Sequence, residues 1–480
     1  MVEALRDVTY DAVVVVPGFL GSALAERSSG EVLWGFPAIL RYTKLWTLSR
    51  AYKRLGLTDA EREGDYTRVR PAGILKIPAF APVFQGYEPY GRLSTTIRSS
   101  VANEDAVLEF AYDWRLPVEH NAGCLARAAR DHLDRWRTHD VHRDDVAERE
   151  PRLVLVAHSM GGLLARALSR VEGTGDVPEV TSDIRATVTL GTPFLGAVKA
   201  AALIGSADVL SRTGSIAVQK RRFREVALTM PGIYDLLPMY RCVKKGESVQ
   251  AIEAGDVASL GGDRELAEKA IAFHEPLLKE SPPCHRPYVG TSQPTLSSLT
   301  IDSGTAEASN DYFAWKNDEF LTADGKLRPL TRGGDGTVPR DSAEPGGAEY
   351  HRVPQQHGAL ASSPEGVTYA ADVLTERPFG PPLGVAAVGM ELPDVVAAGE
   401  RWEIALTGID QPSEATCRIY EVGDAGIDSP VDTPVIERRD GGLVARVSVD
   451  TPGLFRVAVE AGATAPVTQL VLATDPAADG

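Results

Sequence analysis

Three side chains far apart in the chain, Ser159, Asp335 and His357, are of the types that together move an acyl group. A serine hydroxyl is a weak nucleophile at neutral pH unless an imidazole accepts its proton and a carboxylate holds that imidazole in the right tautomer. Ser159 lies in "PRLVLVAHSMGGLLARALSR", between an apolar β-branched run and an apolar-faced helical pattern, with Ala157 two residues before it and Gly161 two after. Small residues at those places suit a sharp strand-to-helix turn that projects a nucleophile, here as A-x-S-x-G instead of G-x-S-x-G. Asp335 sits in the glycine-flanked loop "GGDGTVP". His357 sits in "VPQQHGAL", ahead of Ser363-Pro364, which reads as a helix start. The order Ser, Asp, His along the chain is the one such a fold requires.

Other readings compete. Ser159 could simply cap a helix, and "GDG" could be an ordinary turn. His351 falls in an alternating, strand-like stretch and reads as a packed or surface residue, while His158 should point away from the nucleophile. Asp324 and Asp341 are alternative acids without glycines on both sides. Acyl transfer also needs N–H donors for the tetrahedral oxyanion. Met160, directly after the nucleophile, supplies one. Phe19, following Pro17-Gly18 at the end of "AVVVVPG", is the candidate for the second, although Pro-Gly alone would suit a plain strand-ending turn.

These residues need a frame. Through roughly the first 375 residues, short β-branched runs alternate with helical patterns, which predicts an α/β fold with a mostly parallel, doubly covered sheet. Strands are predicted around Ala12–Gly18, Ala106–Trp114, Arg152–Ser159 and Ile184–Pro193, and a helix over Cys124–Trp136 with Leu125, Ala129, Leu133 and Trp136 on one face. The segment of about 196–283 breaks the rhythm and reads as a helical lid over the site, or else as an excursion without function. Its basic run, Lys220, Arg221, Arg222 and Arg224, could meet lipid phosphates or be a solvated helix face. After "ERPFGPPLG" the pattern becomes alternating and turn-punctuated, which predicts a small all-β, immunoglobulin-like sandwich. The expected domains are therefore 1–380 and 381–480. From residue 384 onward there are sixteen acidic residues against six arginines and no lysine, a net of minus ten. This part is a candidate for recruiting a protein partner, and it is expected to be dispensable for ester cleavage if it only recruits or positions.

The whole chain of 480 residues carries a formal charge of −16, which argues against a nucleic-acid partner, since phosphate backbones are bound by clustered Lys and Arg. An anionic membrane would repel it overall, leaving only transient surface contact through a local basic patch. Four scattered cysteines form no C-x-x-C pair, so neither a zinc site nor a disulfide framework is signalled, and no metal or cofactor is expected. The sequence shows neither a signal-peptide pattern nor an apolar run long enough to cross a membrane, so a cytoplasmic location is expected.

Five blocks, "VVVVPGFLGSALAE", "EFAYDWRL", "VLVAHSMGGLLAR", "TLGTPFLGAVKA" and "GGDGTVP" followed by "QQHG", resemble in that order the lecithin:cholesterol acyltransferase family, over roughly Ala12 to Leu374. The resemblance implies an α/β-hydrolase fold that cleaves an acyl ester of a glycerolipid or phospholipid through an acyl-enzyme, with possible transfer to an alcohol. It implies Ser159 as nucleophile, Asp335 as acid, His357 as base, and Phe19 with Met160 as oxyanion donors. Leu20, Trp114, Phe194 and Leu195 become candidates for the substrate-binding wall, with packing an equal account of Trp114. Against it stand an esterase or amidase acting on a small or peptidic acyl compound, and an effector module in which the sandwich recruits a partner.

Overall fold

The computed structural model describes residues 8–36, 41–42, 45, 51–81, 83, 85–142, 149–206, 214–316, 319–320, 322–323, 326–344, 350–378, 388–423, 428–462 and 465–475. Asp324 and the expected boundary at 380/381 lie outside these residues.

Six strands form the central sheet: β1 (Ala12–Val16), β2 (Val107–Glu109), β3 (Leu153–His158), β4 (Ile184–Leu190), β5 (His285–Gly290) and β6 (His351–Val353). They run in the order β6-β5-β4-β3-β1-β2, and every pairing is parallel. A parallel sheet covered on both faces needs continuous apolar strands; "AVVVV" of β1 and "LVLVAH" of β3 are buried at every position. The covering helices are α1 (Gly91–Arg98), α2 (Val118–Arg137), α3 (Met160–Val171) and α7 (Pro364–Leu374). In α2 the apolar stripe Leu125, Ala129, Leu133 and Trp136 is buried, as its period demands. From β1 the chain goes to β2 on one side, then returns to lay β3 on the other. That reversal opens a crevice beyond the carboxyl ends of β1 and β3, where open α/β sheets bind ligands.

The lid differs from its expectation. Helices α4 (Val198–Gly205), α5 (Gly214–Ala227) and α6 (Arg264–His274) are present, but the strands Arg241–Lys245 and Ser248–Ala251 lie between the last two. Those strands join Ser298–Asp302 and Thr305–Ser309, which come after β5, in a four-stranded sheet. The segment is thus mixed α and β, and its sheet continues beyond residue 283. "RCVKK" and "SVQA" flank Gly246, whose positive φ of 62° closes the hairpin. Their sheet partner is supplied from across β5, which local periodicity does not reveal. The basic run is also committed in part: Arg224 donates to the carbonyls of Ile204 and Leu260, and the Arg222 guanidinium lies 5.7 Å from the Tyr52 ring. Arg224 therefore ties α4, α5 and the turn before α6 together.

The C-terminal part is all β. One sheet holds Gly389–Glu391, Arg401–Thr407, Gly442–Ser448 and Ile436–Arg439 in that order. The other holds Val395–Ala397, Val467–Thr474, Gly453–Ala461, Ala415–Val422 and Asp428–Asp432. Pairing is antiparallel except between Val395–Ala397 and Val467–Thr474. Inward residues of both sheets, among them Ile404, Ala445, Ile419, Val457 and Val471, share one apolar cluster, as two stacked sheets must.

Candidate active site

The crevice gathers the residues singled out above. Ser159 follows β3 at a turn with φ 52° and ψ −125°, a conformation that costs a non-glycine residue of order 1–3 kcal/mol and is kept only where surroundings enforce it. Gly161 is part of that enforcement: a Cβ there would stand 2.6 Å from the carbonyl oxygens of both Val16 and Pro17, so α3 can lie against the end of β1 only with glycine at this place. Ser159 Oγ is 2.8 Å from Nε2 of His357, and Nδ1 of His357 is 2.7 Å from Oδ2 of Asp335. Asp335 Oδ1 accepts from the N–H groups of Thr337 and Val338 at 3.0 and 2.6 Å, and the Asp335 carbonyl accepts the N–H of His357 at 2.7 Å. A carboxylate so held presents its second oxygen to the imidazole, which fixes the proton on Nδ1 and leaves the Nε2 lone pair facing the serine. Gly191, at the end of β4 with φ 61°, gives the pair room: a Cβ would come within 2.9 Å of Asp335 Oδ2 and 3.3 Å of His357 Nδ1.

The three side chains are nearly closed off, with relative exposures of 4%, 1% and 2% for Ser159, Asp335 and His357. Phe19, Pro193, Ala197, Ala200, Leu236 and Val338 help wall a cavity of about 10 Å³ above Ser159 and His357, room for roughly one water. Met160 opens α3, so its N–H belongs to the first-turn donors that lack an intrahelical acceptor. Phe19 lines the same cavity, and its ring meets Trp114 edge-on at 5.0 Å. Trp114 itself is fully buried, donates Nε1–H to the Ser22 carbonyl and packs on Trp34, so the structure places it in the packing behind Phe19. Leu20, at φ 63°, is buried and its carbonyl accepts from Trp34. Phe194 packs against His285 and the Arg166 guanidinium, and Leu195 is half-buried with its N–H on Ser342. None of these four lines the small cavity.

Sequence reasoning missed a second buried layer. His158 does point away from Ser159, but it is not idle. Tyr90 Oη lies 2.8 Å from His158 Nδ1 and accepts the N–H of Gly18 at 2.9 Å, while His158 Nε2 is 3.1 Å from the His357 carbonyl. A carbonyl only accepts, so Nε2 carries the proton and Tyr90 donates to Nδ1. Burial, with the neighbouring His357 second, pushes the His158 pKa down to about 3, so the ring is neutral as that chain of hydrogen bonds requires. The relay ties the Pro17-Gly18 loop to the backbone of His357. Only the aromatic at position 90 and the histidine beside Ser159 signalled it, and neither spacing nor pattern links them. Of the competitors, His351 stacks on Tyr288 and Tyr369, and Asp341 pairs with Arg332 at 3.5 Å. Among the described residues no group of His, Cys, Asp or Glu could hold a metal ion, and no helix is long and apolar enough to cross a membrane.

Comparison with known proteins gives the following. A chain of the Tle4-Tli4 complex aligns at 15% identity and a TM-score of 0.46, covering 76% of this chain and 98% of its own. The lin2722 gene product of Listeria innocua aligns at 13% and 0.28, covering 78% and 96%. No curated protein matches the chain in sequence. The family model for lecithin:cholesterol acyltransferase matches residues 69–344, more than half of the chain, a span that includes Ser159 and Asp335. The chain belongs to the lecithin:cholesterol acyltransferase family, whose members transfer or hydrolyse acyl esters.

Proposed function

We propose that the protein is a serine acyl hydrolase that cleaves acyl esters of glycerolipids or phospholipids and can pass the acyl group to an alcohol. The observation that carries the reading is the unbroken run of short contacts from Ser159 through His357 to Asp335 at a strained turn. Ser159 Oγ attacks the ester carbonyl while His357 Nε2 takes its proton, and Asp335 stabilises the imidazolium formed. The N–H groups of Met160 and Phe19 bind the tetrahedral oxyanion. Collapse expels the alcohol, which leaves with the proton from His357, and water or a second alcohol then takes the acyl group from Ser159 by the reverse steps. A cavity of about 10 Å³ cannot hold an acyl chain, so the cover formed by Ala197, Ala200 and Leu236 opens before substrate enters. The residues beyond about 388 form a unit of their own, with a separate apolar core.

The test is covalent labelling by a fluorophosphonate together with release of fatty acid from phospholipid vesicles. Both are expected in the wild type and both should vanish in Ser159→Ala; persistence of labelling in that variant would remove Ser159 as nucleophile. The alternative reading is an esterase for short acyl compounds, which would reach Ser159 through the same opening of the cover. Hydrolysis of a short soluble ester with vesicles left intact would select it.

A further inference from the structure

The C-terminal sheets meet the segments that carry Asp335 and His357. Strand Gly389–Glu391 is the edge of its sheet, bonded on one side to Arg401–Thr407. The outward N–H and C=O of an edge strand need partners when buried. Gln293, wholly buried, supplies them as a peptide group would: its Oε1 accepts the Met390 N–H at 3.1 Å and its Nε2 donates to the Val388 carbonyl at 3.1 Å. The amide of Gln356, one residue before His357, donates to the Met390 carbonyl at 3.1 Å and to Gln293 Oε1 at 3.2 Å. The amide of Gln355 donates to the Pro466 carbonyl and accepts the Thr468 N–H, both at 3.0 Å, so it covers the start of Val467–Thr474 in the same way.

Each glutamine is coupled onward to the site. Gln293 exchanges two backbone hydrogen bonds of 3.0 Å with Gly334, the residue before Asp335. Gln355 and Gln356 lead directly into His357. A fourth tie arrives from the other side: Arg456 grips both carboxylate oxygens of Glu88 at 2.7 Å, and the Glu88 N–H donates to the carbonyl of Gly358. The residues on either side of His357 and the residue before Asp335 are thus anchored, directly or through one partner, to the C-terminal sheets.

We propose that the C-terminal β-sheets brace the active site, and that Gln293, Gln355 and Gln356 are positioning residues that hold His357 and Asp335 in register with Ser159. The inference rests on the reading of these three as the catalytic group. Amides suit the task because they carry donors and an acceptor without a charge: Gln293 and Gln355 each donate to one backbone group of a strand and accept from another, while Gln356 donates through Nε2 to both of its partners. The β-sheets are then part of the catalytic machinery's support, and His357 reaches Ser159 correctly only when they are docked.

The test uses the full chain with Gln355→Met, Gln356→Met and the double variant, since methionine keeps the length and loses the hydrogen bonds. Turnover of a soluble short-chain ester, hydrogen–deuterium exchange over 350–360, and thermal unfolding are read together. Misplacing a reacting group by about 1 Å can cost about a hundredfold. The double variant should therefore unfold cooperatively, lose about tenfold to a hundredfold in kcat with little change in KM, and exchange faster over 350–360 but not over α2. Gln356→Glu should be no better than Gln356→Met, because a carboxylate sets acceptors against the Met390 carbonyl and Gln293 Oε1. A kcat within about twofold of wild type, or unchanged exchange over 350–360, overturns the proposal. If the double variant does not fold, the single variants give the same readings with the other anchors in place. Turnover that survives Ser159→Ala would defeat the reading of the site, and the brace would then stand or fall on the exchange measurement.

Discussion

At the scale of single residues, the layer behind Ser159 has clear consequences. Tyr90→Phe removes one hydroxyl and strands two buried partners, the Gly18 N–H and His158 Nδ1. An unsatisfied buried group costs about 1–3 kcal/mol, so urea unfolding should show a loss of that order, accompanied by reduced turnover because the Pro17-Gly18 loop is no longer tied to His357. An unchanged midpoint and rate would mean the relay is incidental. The buried histidines also fix a pH dependence. Burial lowers His158 to about 3 and, as the first cause at His285 ahead of the Arg286 charge, lowers that residue to about 4. Both folded values lie below the ordinary 6.5, so between them the unfolded chain binds protons that the folded chain refuses. Their contribution is present above about pH 6.5 and is lost as pH falls toward 3–4, at a slope of up to about 1.4 kcal/mol per pH unit for each ring. Denaturation compared at pH 7 and pH 5 should show the loss before most carboxylates titrate; flat stability over that interval would contradict it.

At the scale of elements, the decisive contact is α3 against the end of β1. Gly161→Ala forces a methyl onto two backbone carbonyls that have no rotamer to change, so the helix itself must move. Overpacking of this kind costs about 1–3 kcal/mol. The shift also separates Met160 from the Phe19 loop, and fluorophosphonate labelling should fall steeply even in the fraction that folds. Labelling at the wild-type rate would show that the turn tolerates the bulk. The turn was legible because its requirements are local: a strand before, a helix after, small residues on both sides. The strands of the cover were not, since their hairpin takes its sheet partner from beyond β5, and a pairing between separate segments leaves no periodic trace in either.

For the whole molecule, the junction between the central parallel sheet and the C-terminal sheets joins a buried ion pair to an apolar cluster. Arg456 and Glu88 are mostly buried, with side-chain exposures of 17% and 8%, and Asp428 joins the same guanidinium. Removing one member of a buried pair strands the other charge, which costs about 3–5 kcal/mol, whereas replacing both can be nearly neutral. Arg456→Met should therefore destabilise strongly, and Glu88→Gln should recover part of the loss when added to it. If the double variant is worse than the single, the pair is not the source of the effect. Beside the pair, Phe80 packs with Val395, Val422, Leu454, Leu470 and Leu472, so apolar burial and charge act at one junction.

Composition and pattern alone determined the α/β architecture and the switch to β structure after about residue 384, and they singled out Ser159, Asp335 and His357 as candidates, because each is written in local chemistry: strand period, turn residues, a serine between small neighbours. The tertiary structure alone decided that those three side chains meet within 2.8 Å, that His158 and Tyr90 stand behind them, and that three glutamines join the loops of Asp335 and His357 to the C-terminal sheets. An amide in "VPQQHG" looks like any polar loop residue until folding brings a strand edge opposite it. The physical reason is that a turn is specified by its own neighbours, while a hydrogen bond between residues 34 or 111 positions apart is specified by how two independently patterned surfaces dock.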